Sequence, residues 1–391
     1  MKVLFIAHCR CMYGANKSLL NLILDLRTRY HVEPVVLLPI ERDGDFAEIL
    51  KCNGIPCYIH VFYRWIEAVG RGQRGIRAVY KAVRNHGVYR NLYQLLKDEK
   101  IDMVHSNSST IQVGAWLADK LKVPHIWHVR EFGEEDYQVE IIYPTSVRNC
   151  LFSKAYRVIA ISQAIADKYH NMLSNGNNIN VVYNGIDNPF PIREIKEIEN
   201  GDNNNEKKVH FVCAGVLSEL KGQFTILNAC EILQRQGIKG YQVHLIGNGA
   251  TSYETMLKDY VTEHNLNDFV IFHGYREDVP DMLQQMDVGI VASEKEAFGR
   301  VTVEYMFATL PVIGADSGGT KELINDGKNG KLYTAGDPQG LADCMKTFIA
   351  QPSIIGQMGQ TAYQIAEDKF SLRANTDQIY QIYEESLGKI R

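Results

Sequence analysis

Two glutamates in the second half of the chain are the first candidates for chemistry. Glu296 and Glu304 lie in the segment 293–324, SEKEAFGRVTVEYMFATLPVIGADSGGTKELI. Between these two glutamates, the chain is predicted to pass from a loop into a helix. The first backbone N–H groups of such a helix have no partner within it and can bind a ligand. A phosphate or a polyol suits such donors, and a nearby carboxylate can accept hydrogen bonds from sugar hydroxyls. The residues that would supply these backbone donors are Ala297, Phe298 and Gly299.

A purely structural interpretation of this segment stays open. Arg300 and Glu304 are four residues apart, so the two side chains could simply form an ion pair that stabilises the helix. The pair Gly318-Gly319, between a predicted strand and the next helix, fits either a close approach of backbone to ligand or an ordinary turn.

Two further loops follow predicted strands of the same half. Lys221 lies in AGVLSELKGQ (214–223), beyond the end of a strand, and could neutralise a phosphate, although a single loop lysine is more often just solvated. The segment Gly247-Asn248-Gly249 superficially matches a dinucleotide-binding fingerprint. Position 252 is Ser where the third glycine would be needed, so a plain turn is favoured.

In the first half, candidates follow three predicted strands. Gly14 precedes the first predicted helix, where backbone donors can face a ligand. His105 ends one strand, and a lone histidine is usually structural. His128 and Arg130 end another strand, and the alternation of side chains puts both on the same side. His128 is therefore the better candidate.

A D-x-D pattern, Asp43-Gly44-Asp45, is typical of metal-dependent sugar transfer. No other acidic residues are arranged around it, and a turn that caps the helix beginning FAEIL explains it better. We therefore expect no metal site.

The elements that position these residues alternate along the chain. Short apolar runs rich in β-branched residues are separated by stretches that are apolar at helical spacing, which predicts parallel sheets covered on both faces. The first series of runs comprises 2–7, 33–39, 55–60, 102–106, 125–129, 156–162 and 179–184. The second comprises 209–215, 241–247, 268–274, 287–293 and 310–316.

The break between the two series predicts the domain organisation. We expect an N-terminal domain over 1–187, an Asn-rich linker over 188–208, a C-terminal domain over 209–370 and a terminal helix over 371–391. Two doubly wound α/β domains of this kind form a cleft, and the carboxyl ends of their strands should face it.

Composition narrows the class of protein. The 391 residues carry a formal net charge of −4, which argues against a globally basic nucleic-acid-binding protein. The apolar stretch 3–7 is too short for the core of a signal peptide, and the eight scattered cysteines suit free thiols in a reducing compartment. We expect a cytoplasmic protein.

In this order, the motifs resemble those of retaining glycosyltransferases of family 4, which have the GT-B fold of two Rossmann-like domains. The resemblance covers nearly the whole chain. It is carried by YGANKSLLNL, VVYNGID, LSELKG, EAFGRVTVE and GADSGGTKELINDGKNGKLY. It implies transfer of a hexose-type sugar from a nucleotide-diphosphate donor to a glycan or lipid-linked acceptor, without a metal cofactor.

The resemblance also implies roles for individual residues. Glu296 would bind donor sugar hydroxyls, helped by the backbone of residues 297–299, and Glu304 would bind the ribose. Lys221 would neutralise the diphosphate, and Gly14 would bring backbone close to the donor. His128 would lie beside the anomeric centre without acting as a nucleophile, and the terminal helix would pack on the N-terminal domain.

One position departs from the family pattern. Val216 stands where the family usually has an arginine that contacts the diphosphate. We expect Arg300, one turn before Glu304, to supply the missing charge. The nucleotide base would be held largely by backbone around His273-Gly274-Tyr275, so its identity is not specified by side chains.

A basic segment of the N-terminal domain is the candidate region for contact with the acceptor. Residues 61–97 carry eight basic side chains and one acidic side chain, a net charge of +7, interleaved with aromatic residues. From the stretch 64–97 we expect contact with an anionic membrane surface or a lipid-linked acceptor, and the competing interpretation is a solvated basic helix. Two rival functions also stay open: a nucleotide-sugar epimerase of the same fold, and a binding protein that has lost catalysis.

Overall fold

In the computed structural model, the described residues are 1–40, 44–173, 178–190 and 208–388. They form two compact units. The first contains Met1–Gly185 and Leu372–Arg391, and the second contains Ile186–Ser371. Most of the expected linker, residues 191–207, lies outside the described residues.

The first unit is built on a parallel seven-stranded sheet with the order β3-β2-β1-β5-β6-β8-β9. Its central strands are buried along nearly their whole length because helices cover both faces of the sheet. The strands are β1 (Lys2–Ile6), β2 (Glu33–Pro39), β3 (Cys57–His60), β5 (Met103–Ser106), β6 (His125–Val129), β8 (Arg157–Ala160) and β9 (Ile179–Val181). The helices are α1 (Gly14–Tyr30), α2 (Phe46–Cys52), α3 (Arg74–Leu96), α4 (Val113–Leu121), α5 (Glu134–Tyr137), α6 (Thr145–Ser153) and α7 (Gln163–Met172).

A small antiparallel sheet, formed by β4 (Ile66–Ala68) and β7 (Val139–Ile141), accompanies the main one. Glu67 lies directly opposite Glu140 across these two strands. Two carboxylates in register repel each other, so this pairing requires cations nearby.

The second unit repeats the architecture with a parallel six-stranded sheet in the order β12-β11-β10-β13-β14-β15. The strands are β10 (Val209–Ala214), β11 (Tyr241–Ile246), β12 (Val270–Gly274), β13 (Val288–Val291), β14 (Val312–Ala315) and β15 (Gly330–Tyr333). The helices are α8 (Gln223–Arg235), α9 (Thr251–Glu263), α10 (Val279–Leu283), α11 (Arg300–Phe307), α12 (Thr320–Leu323), α13 (Pro338–Ala350) and α14 (Ser353–Phe370).

The last helix, α15 (Leu372–Gly388), belongs to the first unit. Tyr380 stacks on Tyr30 of α1 with 3.8 Å between ring centroids. Asp377 accepts a hydrogen bond of 2.6 Å from the Tyr30 hydroxyl and pairs with Arg29.

The predicted fold class of two doubly wound parallel sheets is confirmed. Three short strands were not predicted: β4, β7 and β15.

Candidate active site

In the second unit, the loop that carries Lys221 is fixed by a glycine. Gly222 has φ +69°, and a Cβ there would lie 2.2 Å from the carbonyl oxygen of Ala292. Only glycine lets the loop after β10 pack this tightly against the end of β13. As a result, the Lys221 Nζ lies 2.5 Å from Oε1 of Glu296.

This ion pair joins two residues that the resemblance placed in separate roles. The side chain of Lys221 is 40% exposed and that of Glu296 is 15% exposed, so the cation is the more accessible partner. A carboxylate beside a fixed cation, at the carboxyl end of a parallel sheet, is suited to a ligand that has both hydroxyl groups and a diphosphate.

The glycine pair 318–319 is explained by packing of one loop on another. The Gly319 N–H donates to the carbonyl oxygen of Glu296 at 2.7 Å. A Cβ at Gly318 would lie 2.5 Å from the same oxygen, and Gly318 has φ +51°. These contacts hold the segment that carries Glu296 in place, so the pair is accounted for without a ligand approaching it.

Helix α11 begins as predicted, directly after Gly299, which has φ +90° at the N-cap position. The preceding Phe298 is 2% exposed and packs edge-on against Phe370 at 6.0 Å between centroids. Its side chain therefore belongs to the core, and only its backbone, with that of Ala297, could serve a ligand.

Arg300 and Glu304 form the i,i+4 pair that the structural interpretation anticipates. Nη2 of Arg300 lies 3.6 Å from Oε1 of Glu304. Burial lowers the pKa of Arg300, and the charge of Glu304 opposes that effect. Arg300 thus lies one turn before Glu304, as expected, but its guanidinium already forms an ion pair with this carboxylate.

The loop after β10 also explains the segment Gly247-Asn248-Gly249. A Cβ at Gly247 would lie 1.9 Å from the carbonyl oxygen of Gly215, and one at Gly249 would lie 1.9 Å from that of Leu217. The glycines serve close packing of two loops. Val216, the position that departs from the family pattern, is 61% exposed beside this contact.

Sequence reasoning missed a chain of three histidines on neighbouring strands of the second unit. Nδ1 of His210 lies 3.0 Å from Nε2 of His244, and Nδ1 of His244 lies 2.9 Å from Nε2 of His273. Burial and the two neighbouring histidines lower the pKa of His244 to about 4. The three residues are far apart in sequence and only the sheet order β12-β11-β10 brings them together, so no local pattern could predict the chain.

In the first unit, Gly14 is the first residue of α1, after a loop shaped by Asn16. The Asn16 amide donates to the carbonyl oxygens of Cys9 and Cys11 at 3.0 and 2.8 Å. This amide is 1% exposed, so the loop before Gly14 is fixed from within.

The D-x-D pattern falls partly on Asp43, which lies outside the described residues. A Cβ at Gly44 would lie 2.3 Å from the backbone of Arg10, so this glycine is needed for packing. Asp45 occupies the N-cap position of α2, which begins at Phe46 as predicted, although the Asp45 side chain makes no capping hydrogen bond. Over the described ranges, no group of three His, Cys, Asp or Glu residues could hold a metal ion.

His128 belongs to a buried polar cluster at the carboxyl ends of β5 and β6. Its Nδ1 lies 3.2 Å from Nε2 of His105 and 3.3 Å from Nη2 of Arg130. Arg130 also donates to Asn107 and Asn184 through Nε and Nη1, each at 2.5 Å. The predicted placement of His128 and Arg130 on one side of the strand end is confirmed by their contact.

A second part of this cluster was not foreseen. Oε1 of Glu131 accepts hydrogen bonds from the Ser108 hydroxyl and from both the hydroxyl and the backbone N–H of Ser109. Burial raises the pKa of Glu131, while these hydrogen bonds oppose the increase. Polar side chains are uncommon in a sheet core, so the run HSNSST (105–110) was an available signal.

The basic segment is arranged differently from the expectation. Glu67 pairs with Lys81 at 2.7 Å, Arg71 at 2.9 Å and Arg77 at 3.7 Å. Arg74 pairs with Glu140 at 2.7 Å. Four of the eight cations therefore neutralise the two facing carboxylates and are not a free basic face. The three that lie on α3, Arg74, Arg77 and Lys81, hold this helix on the small sheet.

The first half of α3 also exposes apolar side chains. Residues at helical spacing are 54–70% exposed, and together they are called the α3 stripe: Ile76, Val79, Tyr80 and Val83. Searching the described residues reveals no helix whose length and apolar character would let it cross a membrane.

Comparison with known proteins shows the family. Residues 13–188 match Glycosyltransferase Family 4, and residues 194–365 match Glycosyl transferases group 1. An uncharacterized glycosyltransferase of Methanocaldococcus jannaschii is 26% identical over 300 residues, 74% of this chain and 77% of that protein. The N-acetyl-alpha-D-glucosaminyl L-malate synthase of Bacillus anthracis is 26% identical over 232 residues, 59% of this chain and 60% of that enzyme.

Solved structures show the same fold. Anabaena HepE in complex with UDP superposes with a TM-score of 0.78 at 24% identity, covering 98% of this chain and 100% of that one. The lipopolysaccharide outer core galactosyltransferase WaaB superposes with a TM-score of 0.76 at 18% identity, covering 98% and 99%. The family matches extend over both units in chain order, so the protein is a glycosyltransferase of the GT-B fold and belongs to glycosyltransferase family 4.

Proposed function

We propose that the enzyme transfers a hexose-type sugar, with retention of configuration, from a nucleotide-diphosphate donor to a glycan or lipid-linked acceptor. The Lys221–Glu296 pair before helix α11 carries the proposal. A product in surface polysaccharide or glycolipid assembly fits the names of relatives such as a lipopolysaccharide core biosynthesis mannosyltransferase of Rhizobium leguminosarum. We place the reaction in the cytoplasm.

Each side chain has a defined task in this proposal. Lys221 stabilises the charge that develops on the leaving diphosphate, and Arg300 adds to it in place of the arginine that Val216 replaces. Glu296 accepts hydrogen bonds from the sugar hydroxyls, and Glu304 accepts them from the ribose. Binding of a donor would exchange the Lys221–Glu296 contact for one contact from each residue to the ligand.

The other predicted site residues contribute backbone N–H groups that donate to the donor substrate, and one side chain, His128, that lies beside the anomeric carbon. The N–H groups of residues 297–299 and of Gly14 would face the donor. His128 would contact a sugar hydroxyl. No divalent cation is required, because Lys221 and the helix N-terminus supply the positive charge.

In this proposal, the sugar is transferred by front-face displacement at the anomeric carbon. The bond between the anomeric carbon and the phosphate oxygen breaks, and its electron pair leaves with the nucleoside diphosphate. The acceptor oxygen bonds to the same face of the carbon, and its proton passes to the departing phosphate oxygen. Configuration is therefore retained.

Turnover of charge variants tests the proposal. Lys221→Ala should lower kcat by about 10²–10³-fold, the usual cost of removing one group that stabilises developing charge. Lys239→Ala, an exposed lysine of the same unit, is the matched control and should keep the wild-type rate. An Arg300→Ala enzyme with wild-type turnover would contradict the compensating role of Arg300.

Binding of nucleotides identifies the donor. Thermal unfolding is compared with UDP, GDP, ADP and their sugars, since a ligand at 100 times its Kd stabilises the folded state by about 2.7 kcal/mol. UDP is the first candidate because HepE has been solved with UDP and with UDP-glucose. NMR of the product then gives its anomeric configuration, and inversion would overturn the mechanism.

We further propose that the α3 stripe contacts an anionic membrane surface. Its four apolar side chains project into solvent, and Arg84 and Lys97 are exposed basic residues on or just after the same helix. An apolar strip accompanied by cations is typical of helices that lie in a lipid interface.

Vesicle sedimentation tests this surface. The variant Ile76→Ser/Val79→Ser/Val83→Ser should lose binding to vesicles rich in phosphatidylglycerol, while neutral vesicles bind weakly in every case. Val147→Ser, an exposed apolar position on α6, is the control. Binding that persists in the triple variant would refute the role of the stripe.

A further inference from the structure

A cavity of about 360 Å³ lies in the first unit, outside the residues discussed so far as donor contacts. It is bordered by the small sheet, the start of α3 and the segment before β4. Its lining includes Phe62, Tyr63, Arg64, Glu67 and Lys81. Aromatic rings beside a few charged groups are the usual composition of a small-molecule site.

The side chains that line the cavity carry more positive than negative charge, since Arg64 and Lys81 face a single carboxylate, Glu67. Lys81 is fully engaged, since its Nζ lies 2.7 Å from Oε1 of Glu67 and donates to the carbonyl oxygen of Ile66 at 2.6 Å. Glu67 is neutralised by this contact and by the two arginines described above. Arg64 is half-buried and has no ion pair within the described part of the chain. The cavity therefore has one uncompensated guanidinium.

The charge of Arg64 also affects a histidine, His8, just after the carboxyl end of β1. Burial and the guanidinium groups of Arg64 and Arg130 lower the pKa of His8 to about 4. His8 follows β1 and precedes the loop that leads to Gly14. Arg64 therefore lines the cavity and also acts electrostatically on His8, at the strand end where the first unit is expected to meet its substrates.

From these observations we infer that the cavity binds an anionic group, a carboxylate or a phosphate, on the sugar acceptor. The inference rests on the proposed function, since it names the chemical class of that reaction's acceptor. A guanidinium can bind either group with two parallel hydrogen bonds, and Tyr63 offers a ring beside it. Tyr63 also contacts Tyr80 of the α3 stripe, with 6.3 Å between ring centroids, so the cavity adjoins the proposed lipid-facing surface.

The test measures binding of defined probes to the full chain by NMR titration. The probes are glucuronate, glucose 6-phosphate, inorganic phosphate and uncharged glucose. We expect both charged sugars to bind more tightly than glucose. Arg64→Gln should weaken them by about tenfold or more, the usual cost of a lost charge-assisted contact. Arg90→Gln, an exposed arginine of α3 outside the cavity, is the control and should bind like the wild type.

The outcomes separate the ligand sources and the two proposals. Tighter binding of glucuronate indicates an acidic sugar, and tighter binding of glucose 6-phosphate or of phosphate alone indicates a phosphate-bearing acceptor. Equal affinity for glucose and the charged sugars, or equal losses in the two variants, overturns the inference. UDP binding, measured on the same variants, reports on the donor site and tests the proposed function separately.

A second observation, independent of this cavity, concerns the protonation of His128. Arg130 can only donate hydrogen bonds, so the His128 Nδ1 that it contacts at 3.3 Å must be an acceptor. His105 meets the same Nδ1 at 3.2 Å and must donate through its Nε2. Nδ1 of His105 is then an acceptor, and the Tyr383 hydroxyl, 2.6 Å away, donates to it.

The consequence is a fixed tautomer. Burial and the charge of Arg130 lower the pKa of both histidines well below the ordinary value, so both are neutral. The single ring proton of His128 is therefore on Nε2. This nitrogen is buried and has no hydrogen-bond partner among the described residues.

The geometry points to His105 and Tyr383 as positioning residues that keep His128 a hydrogen-bond donor at Nε2. This too rests on the proposed contact between His128 and a sugar hydroxyl. In that role His128 donates to the substrate and does not remove a proton from the acceptor, which fits deprotonation by the leaving phosphate.

Long-range ¹H–¹⁵N spectra of the imidazoles test the tautomer directly, without any substrate. We expect the Nε2–H form at His128, unchanged between pH 8 and pH 6. An Nδ1–H form, or titration in that range, overturns the inference even if the enzyme is active.

Kinetics of the double variant His105→Phe/Tyr383→Phe test the positioning role. It removes the His105 contact to His128 together with the Tyr383 hydroxyl that orients His105, and it leaves the Arg130 contact in place. We expect kcat to fall about tenfold or more, as for other misplaced catalytic contacts, with the donor KM unchanged. Tyr380→Phe, which removes a hydroxyl from the same helix, should leave both constants unchanged. A rise in KM without loss of kcat would refute the role.

Discussion

The buried histidines of the first unit should make its stability strongly dependent on pH, and His125 allows the effect to be calculated. Its side chain is 4% exposed, and Nε2 lies 2.9 Å from the hydroxyl oxygen of Ser106. Burial lowers the pKa of His125 to about 3, against about 6.5 in an unfolded chain. Between these values only the unfolded state takes up the proton, so acid favours unfolding.

The magnitude follows from linkage. At pH 7 about a quarter of the unfolded chains are protonated at this residue, and at pH 5 nearly all are. Acidification from pH 7 to pH 5 should therefore lower the free energy of unfolding by about 2 kcal/mol through His125 alone. This is a substantial fraction of the roughly 5–15 kcal/mol typical of a domain.

The assay is urea unfolding, followed by tryptophan fluorescence, of the wild type and His125→Gln at pH 7 and pH 5. All three tryptophans, at 65, 116 and 127, lie in the first unit, so the signal reports on it. Glutamine keeps a polar group but does not titrate. The stability gap between the two proteins should narrow by about 2 kcal/mol at pH 5. A gap that is independent of pH would refute the reasoning.

Three other predictions follow from single contacts. Glu67→Gln should destabilise the first unit by about 1–3 kcal/mol, because Lys81 and two arginines lose their carboxylate, and urea unfolding measures the change. The Lys81 cation lowers the pKa of Glu67, so its stabilising contribution should be present near neutral pH and be lost as the pH falls through that lowered value. Gly222→Ala should displace the Lys221 loop, because the new Cβ meets Ala292, and isothermal titration with UDP should show weaker binding by about tenfold or more, the usual cost of a lost charge-assisted contact. Turnover should be unchanged by EDTA, and a loss restored by Mg²⁺ would contradict a metal-free transfer.

The elements that could be predicted from the sequence are those with a local signal. The strands β2 and β6 were predicted at their observed bounds, because a buried parallel strand is a short run dominated by apolar and β-branched residues. The three-residue strands β4 and β7 have no such run. The two strands are far apart in sequence, with Glu67 opposite Glu140, so no local pattern predicts their pairing.

In the candidate site, too, single residues could be predicted from local sequence, whereas the contacts between them could not. Lys221 and Glu296 were selected individually from their loops, yet their direct contact depends on Gly222 packing on Ala292, which no local pattern encodes. The charge of α3 was misjudged for a related reason. A count over one segment could not show that Glu140, beyond that segment, would pair with Arg74.

The assignment of α15 to the first unit has a consequence for the order in which the protein folds during synthesis. The ribosome completes every strand of the second unit before it reaches residue 372. The second unit can therefore fold as soon as it emerges, as domains generally do. The first unit must wait, because Tyr383 fills a fully buried position beside His105. Until α15 arrives, the apolar cluster that Ile379, Ile382 and Tyr383 complete remains partly uncovered in the nascent first unit, and such exposed apolar surface is prone to aggregation.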